Sequence, residues 1–174
     1  MRANKAVFFD RDGVINRPIV RNGLPFAPQD LSEFAWMEGV RDTLDALRGR
    51  GYVLLVCTNQ PDVVRGMQRR ERVDEFHRKI EAELPIARVY ACFHDNSHAC
   101  TCRKPKPGML LQGSADFDID LERSWMIGDR PKDIEAGLAA GCRTVYVRHD
   151  YDLASTHAAQ HEITQLSELL AIIE

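Results

Sequence analysis

The chain has 174 residues, 44% of them hydrophobic and 28% charged, which suits one globular domain spanning 1–174 with a sizeable core. A formal net charge of −3 provides no basic footprint for nucleic acid, and the longest apolar runs, such as residues 53–57, are too short to span a bilayer. The opening residues MRANKAVFFD lack the apolar stretch of a secretory signal, so the expectation is a cytoplasmic monomer with neither nucleic-acid nor membrane partners. Disulfides are rare in that compartment, so three cysteines within residues 92–102 point to metal binding or chemistry.

Short apolar runs alternate with amphipathic stretches along the chain. Residues 5–9 (KAVFF) read as a buried strand. Val40, Leu44 and Leu47 sit at helical spacing, and Gly49 and Gly51 end that helix. Residues 52–57 (YVLLVC) form the second strand, and Val73, Phe76, Ile80 and Leu84 mark a helix stopped by Pro85. Residues 88–93, 124–127 and 144–147 read as three further strands, with helices near 109–117 and 132–140 and a last one at 167–173. Strand–helix alternation implies a parallel sheet with helices on both faces, and such sheets bind ligands beyond the carboxyl ends of their strands.

The polar clusters fall at those ends. The first strand runs into Asp10-Arg11-Asp12-Gly13, the second into Thr58-Asn59-Gln60, and the fourth into Gly128-Asp129-Arg130-Pro131-Lys132-Asp133. An Asp-x-Asp-Gly sequence alone is ordinary turn chemistry. Carboxylates gathered at the ends of two buried strands would repel one another unless a cation joined them, and an incomplete oxygen-rich site suits Mg²⁺. A second cluster, Cys92-x-His94-x5-Cys100-x-Cys102, supplies three thiolates and an imidazole, a closed tetrahedral set for structural Zn²⁺. His98 could replace His94, but it sits only two residues before Cys100, so His94 is preferred. Cys57 and Cys142 lie in apolar contexts and read as small core residues.

Asp10-Arg-Asp12-Gly-Val, Thr58-Asn-Gln, Lys104 and Gly128-Asp129-x3-Asp133 together resemble the four motifs of the haloacid dehalogenase (HAD) superfamily of phosphatases, in family order over most of the chain. The resemblance implies an α/β fold: a three-layer Rossmann-like (HAD-like) parallel sheet with helices on both faces, no separate cap domain and a small zinc-binding loop. It implies that Asp10 is the nucleophile and accepts the phosphoryl group as an aspartyl-phosphate, and that Asp12 is the general acid and base. Thr58 and Lys104 would bind the transferring group, helped by Asn59 and Gln60. Asp10, the backbone carbonyl of Asp12 and Asp129 would hold Mg²⁺, with Asp133 in a supporting place and Lys106 a solvated lysine.

The zinc loop followed by Cys102-Arg103-Lys104-Pro105 is similar to the branch holding D-glycero-D-manno-heptose 1,7-bisphosphate phosphatases and histidinol-phosphate phosphatases. That branch implies substrate recognition by Arg103, with Arg130 a further substrate contact. The chain departs from the heptose pattern at Pro61-Asp62, where Ser-Gly is usual, and after Gly13, where residues 16–23 lack the Asp-His-Gly-Tyr-like run. The expectation is a magnesium-dependent phosphatase converting heptose 1,7-bisphosphate to heptose 1-phosphate. Histidinol phosphate or another sugar phosphate is the alternative substrate.

Overall fold

The computed structural model describes residues 3–151 and 157–174. Its sheet has six parallel strands: β1 (Lys5–Phe9), β4 (Tyr52–Asn59), β5 (Arg88–Cys92), β6 (Trp125–Gly128), β7 (Arg143–Val147) and β8 (His161–Ile163). Their order is β5-β4-β1-β6-β7-β8. The helices are α1 (Val40–Gly49), α2 (Arg70–Glu83), α3 (Gly108–Phe117), α4 (Pro131–Ala140) and α5 (Leu169–Ile172).

Alternation along β1 sends Val7 and Phe9 to one face of the sheet and Ala6 and Phe8 to the other. The first face buries Leu44 and Leu47 of α1, Ile80 of α2 and Leu169 of α5. The second buries Met109 and Leu110 of α3 and Ala136 of α4, with Cys57 and Cys142 among them as core side chains. Helices therefore cover both faces, as the alternation of elements requires.

β1 lies between β4 and β6, with Phe9 level with Val56 on one side and Ile127 on the other. Chain connections leave β1 in opposite directions across the sheet, so a crevice opens at its carboxyl end. Asp10, Gln60 and Asp129 each follow directly on one of the three strands that meet there.

Three strands were not expected from the sequence. β2 (Ile19–Arg21) and β3 (Leu24–Phe26) form an antiparallel hairpin between β1 and α1. Asn22 and Gly23 make its two-residue turn with φ of 51° and 74°, the positive-φ pair that matches the right-handed strand twist. β8 has only three residues and carries His161 and Glu162, so it lacks the apolar run that marks the other strands. The expected last helix divides into a 3₁₀ turn at Leu166–Glu168 and the short α5.

Candidate active site

A cavity of about 240 Å³ opens at the carboxyl end of the sheet. Asp10, Asp12, Thr58, Asn59, Gln60 and Asp129 line it. The hairpin contributes Pro25 and Phe26, the segment after β4 contributes Pro61 and Asp62, and Arg130 and Lys132 stand on a further side.

Lys104 is buried to 1% exposure and its ammonium joins the strand ends. Nζ donates to Asp10 Oδ1 at 2.7 Å, to Asp133 Oδ1 at 2.8 Å and to the Cys57 carbonyl at 2.6 Å. Burial alone would lower the lysine's pKa, but Asp10 and Asp133 outweigh it and raise the value. Asn59 fixes the same residue from outside. Its Nδ2 donates to the Lys104 carbonyl at 3.0 Å, and its Oδ1 accepts from the Lys104 N–H at 3.1 Å.

Asp10, Asp129 and Asp133 each place a carboxylate oxygen within 4.8 Å of the others. Asp133 Oδ2 also accepts from the Arg130 N–H at 3.0 Å, which caps the first turn of α4. Gly128 permits this approach, because a Cβ there would collide with the Asp133 side chain. Gly13 likewise sits against the Asp129 carboxylate at φ 91°, where a side chain has neither room nor a relaxed backbone. Asp129 Oδ1 is buried with no hydrogen-bond partner among the described residues. Burial, then the charges of Asp10 and Asp133, raises the Asp129 pKa well above the usual carboxylate range. An orphaned buried oxygen beside a second carboxylate fits a hard divalent cation such as Mg²⁺, which Asp10 and Asp129 could hold.

Both oxygens of Asp12 are held. Arg11 donates through one nitrogen at 3.0 and 2.8 Å, Asn16 donates to Oδ1 at 2.9 Å, and Gln60 Nε2 donates to Oδ2 at 2.9 Å. Burial opposes ionisation of Asp12, yet the Arg11 charge and these hydrogen bonds hold its pKa below the usual value. Gln60 Nε2 also donates to Thr58 Oγ1 at 2.9 Å, which leaves the Thr58 hydroxyl proton free to point at a ligand. Arg11 is fully buried and was missed in the sequence, where it reads as a spacer between two aspartates. Lys132 was missed as one more surface lysine at a helix start.

Cys92, His94, Cys100 and Cys102 converge between β5 and α3. Cys92 Sγ lies 3.0 Å from Cys102 Sγ, 4.0 Å from Cys100 Sγ and 3.6 Å from His94 Nδ1. Tetrahedral zinc–thiolate bonds of about 2.3 Å would set ligands roughly 3.8 Å apart, so these four donors fit Zn²⁺. His98 turns instead to Asp95, with Nδ1 2.7 Å from Oδ1. Arg103 is not brought to the cavity. Its Nε donates to Asn96 Oδ1 and one terminal nitrogen to the His94 carbonyl, both at 3.0 Å, so it closes the cysteine loop on itself. Lys106 is likewise spent on the loop, donating to the Cys100 carbonyl.

The HAD-hydrolase-like family model matches residues 101–170. The chain is 35% identical to a D-glycero-beta-D-manno-heptose-1,7-bisphosphate 7-phosphatase of Helicobacter pylori, over 80% of this chain and 81% of the relative. It is 33% identical to a D-glycero-alpha-D-manno-heptose-1,7-bisphosphate 7-phosphatase of Burkholderia mallei, over 93% of this chain and 89% of that one. Its fold superposes with TM-score 0.79 on the D,D-heptose 1,7-bisphosphate phosphatase of B. bronchiseptica, solved with magnesium and phosphate, at 23% identity over 97% of this chain and 99% of that one. A HAD-like phosphatase structure from Mesorhizobium loti gives the same TM-score at 26% identity, covering 99% of this chain and 87% of the other.

Proposed function

The chain belongs to the heptose-1,7-bisphosphate 7-phosphatase family of HAD-like hydrolases, and from that membership we propose that it removes the C7 phosphate of D-glycero-D-manno-heptose 1,7-bisphosphate and leaves the heptose 1-phosphate. The observation that carries this reading is the charge-neutralised pair Lys104–Asp10 at the floor of a cavity walled by Thr58, Asp12 and Asp129.

Asp10 attacks the phosphorus and the C7–oxygen group departs, which leaves an aspartyl-phosphate. Lys104 holds the attacking carboxylate and faces the phosphoryl oxygens as a point charge, while the Thr58 hydroxyl donates to one of them. Asp12, protonated for the first step, gives its proton to the departing oxygen; as the carboxylate that its hydrogen bonds favour, it then takes one from the water that hydrolyses the intermediate and so regains the proton for the next turnover. Asp10, Asp129 and the Asp12 carbonyl would hold Mg²⁺, which would neutralise the phosphoryl charge. Arg130 and Lys132, at the cavity's edge, face the second phosphate of the substrate. Cys92, His94, Cys100 and Cys102 would hold Zn²⁺, which would order the loop that leads into Lys104.

Phosphate release measured on heptose 1,7-bisphosphate and on histidinol phosphate tests the substrate. The heptose ester is expected to give the higher kcat/KM by at least about a hundredfold, on the order of the 2.7 kcal/mol that two tenfold steps represent. A preference for histidinol phosphate would overturn the assignment. Asp10→Asn is expected to abolish release from both.

A further inference from the structure

The hydrogen bonds that hold Asp12 lead away from the cavity. Arg11 occupies the spacer position between the two aspartates, and its guanidinium runs under the turn into the core with no exposure. One terminal nitrogen donates to both oxygens of Asp12. The other lies 3.2 Å from His77 Nε2, and the guanidinium carbon stands 5.4 Å from the centre of the Phe76 ring. Phe76 and His77 both belong to α2, whose Val73, Phe76 and Ile80 are buried. Burial first, and then the Arg11 charge, pushes the His77 pKa down to about 3, so the ring is neutral and Nε2 accepts from the arginine. A helix anchored by three buried side chains therefore reaches the acid–base carboxylate through one arginine.

We propose that His77 and Arg11 are positioning residues for the reaction: α2, through the His77 acceptor, orients Arg11, and Arg11 orients the Asp12 carboxylate against the phosphoryl group on Asp10. This rests on the reading of Asp12 as the proton donor and acceptor. Neither residue touches the cavity, since Asp12, Gln60 and Thr58 line it and Arg11 and His77 do not. A planar guanidinium suits the task because its donors have a fixed angular relation, so fixing one end fixes the other. Gln60 and Asn16 hold Asp12 from other directions, so loss of the His77 acceptor would tilt the carboxylate rather than release it.

Two substitutions of near-equal size separate positioning from packing. Glutamine places an amide oxygen where Nε2 now lies; asparagine is one methylene shorter and cannot reach. His77→Asn is expected to lower kcat on heptose 1,7-bisphosphate about ten- to a hundredfold, the scale of a misplaced catalytic group. KM and inhibition by inorganic phosphate should stay near wild type, because Lys104, Thr58 and Asp10 are untouched. His77→Gln should recover most of the lost rate. The same His77→Asn change made in an Asp12→Asn background should cost nothing further, since residues that act as a unit are not additive. The proposal is overturned if His77→Gln is as impaired as His77→Asn, if His77→Asn costs as much without Asp12 as with it, or if it costs nothing in either. Absence of phosphate release by the wild-type protein is a separate result, and contradicts the phosphatase reading itself.

Discussion

At the residue scale the site is a problem of buried charge. Lys104 neutralises two carboxylates, Asp10 directly after β1 and Asp133 in the first turn of α4, and both are themselves almost fully buried. Removing one partner of such an arrangement leaves uncompensated charge in a medium that solvates it poorly. Lys104→Met is therefore expected to destabilise the metal-free protein by about 3–5 kcal/mol in chemical denaturation, with part of the loss restored by millimolar Mg²⁺. A Met variant as stable as wild type would mean that Asp10 and Asp133 do not carry charge as described. The convergence of Asp10, Asp12, Thr58, Lys104 and Asp129 was legible in the sequence because each stands in a recognisable motif, and Asp10, Thr58 and Asp129 also stand at strand ends. Arg11 was not, because nothing in Asp-Arg-Asp shows that the middle side chain turns inward to a helix more than sixty residues away. Arg103 was legible as a charge but not as a direction. Its two hydrogen bonds to the cysteine loop follow from a loop path that only the fold defines.

At the element scale, the parallel strands and their helices were readable from apolar runs, since a strand covered on both faces shows no polar positions. The hairpin was hidden by composition. Only three residues stand on each side of Asn22-Gly23, Pro25 sits within one arm, and Val20, Leu24 and Phe26 are exposed rather than core-facing. The Asn-Gly pair was the usable signal. The cysteine loop is the other element without a core of its own. Cys92 is buried at the end of β5, while Asp95, Ser97 and His98 satisfy one another at the surface. Loss of its metal is expected to disorder the segment that delivers Lys104. Treatment with a zinc-selective chelator, with magnesium kept in excess, should release one zinc per chain and reduce kcat/KM at least about tenfold. Zinc, and not further magnesium, should restore it. Unchanged kcat/KM after zinc release would separate the loop from the chemistry.

At the scale of the whole molecule, the catalytic groups come from parts of the chain far apart in sequence, and the strand order brings them to one place. β4, β1 and β6 are neighbours in the sheet, so the ends carrying Thr58, Asp10 and Asp129 meet, and among the described residues no large domain closes over them. The hairpin and the segment after β4 form the cavity's walls instead. Pro61 and Asp62 lie in one of them, at positions where the motif pattern of the family differs. In the proposed function this arrangement directs Asp10 to one phosphate of a bisphosphate. The direct measurement is ³¹P NMR of heptose 1,7-bisphosphate incubated with the protein and Mg²⁺. The expected result is loss of the 7-phosphate resonance, growth of inorganic phosphate and persistence of the 1-phosphate, all absent with Asp10→Asn. Loss of the 1-phosphate resonance first, or equal turnover by Asp10→Asn, would contradict it.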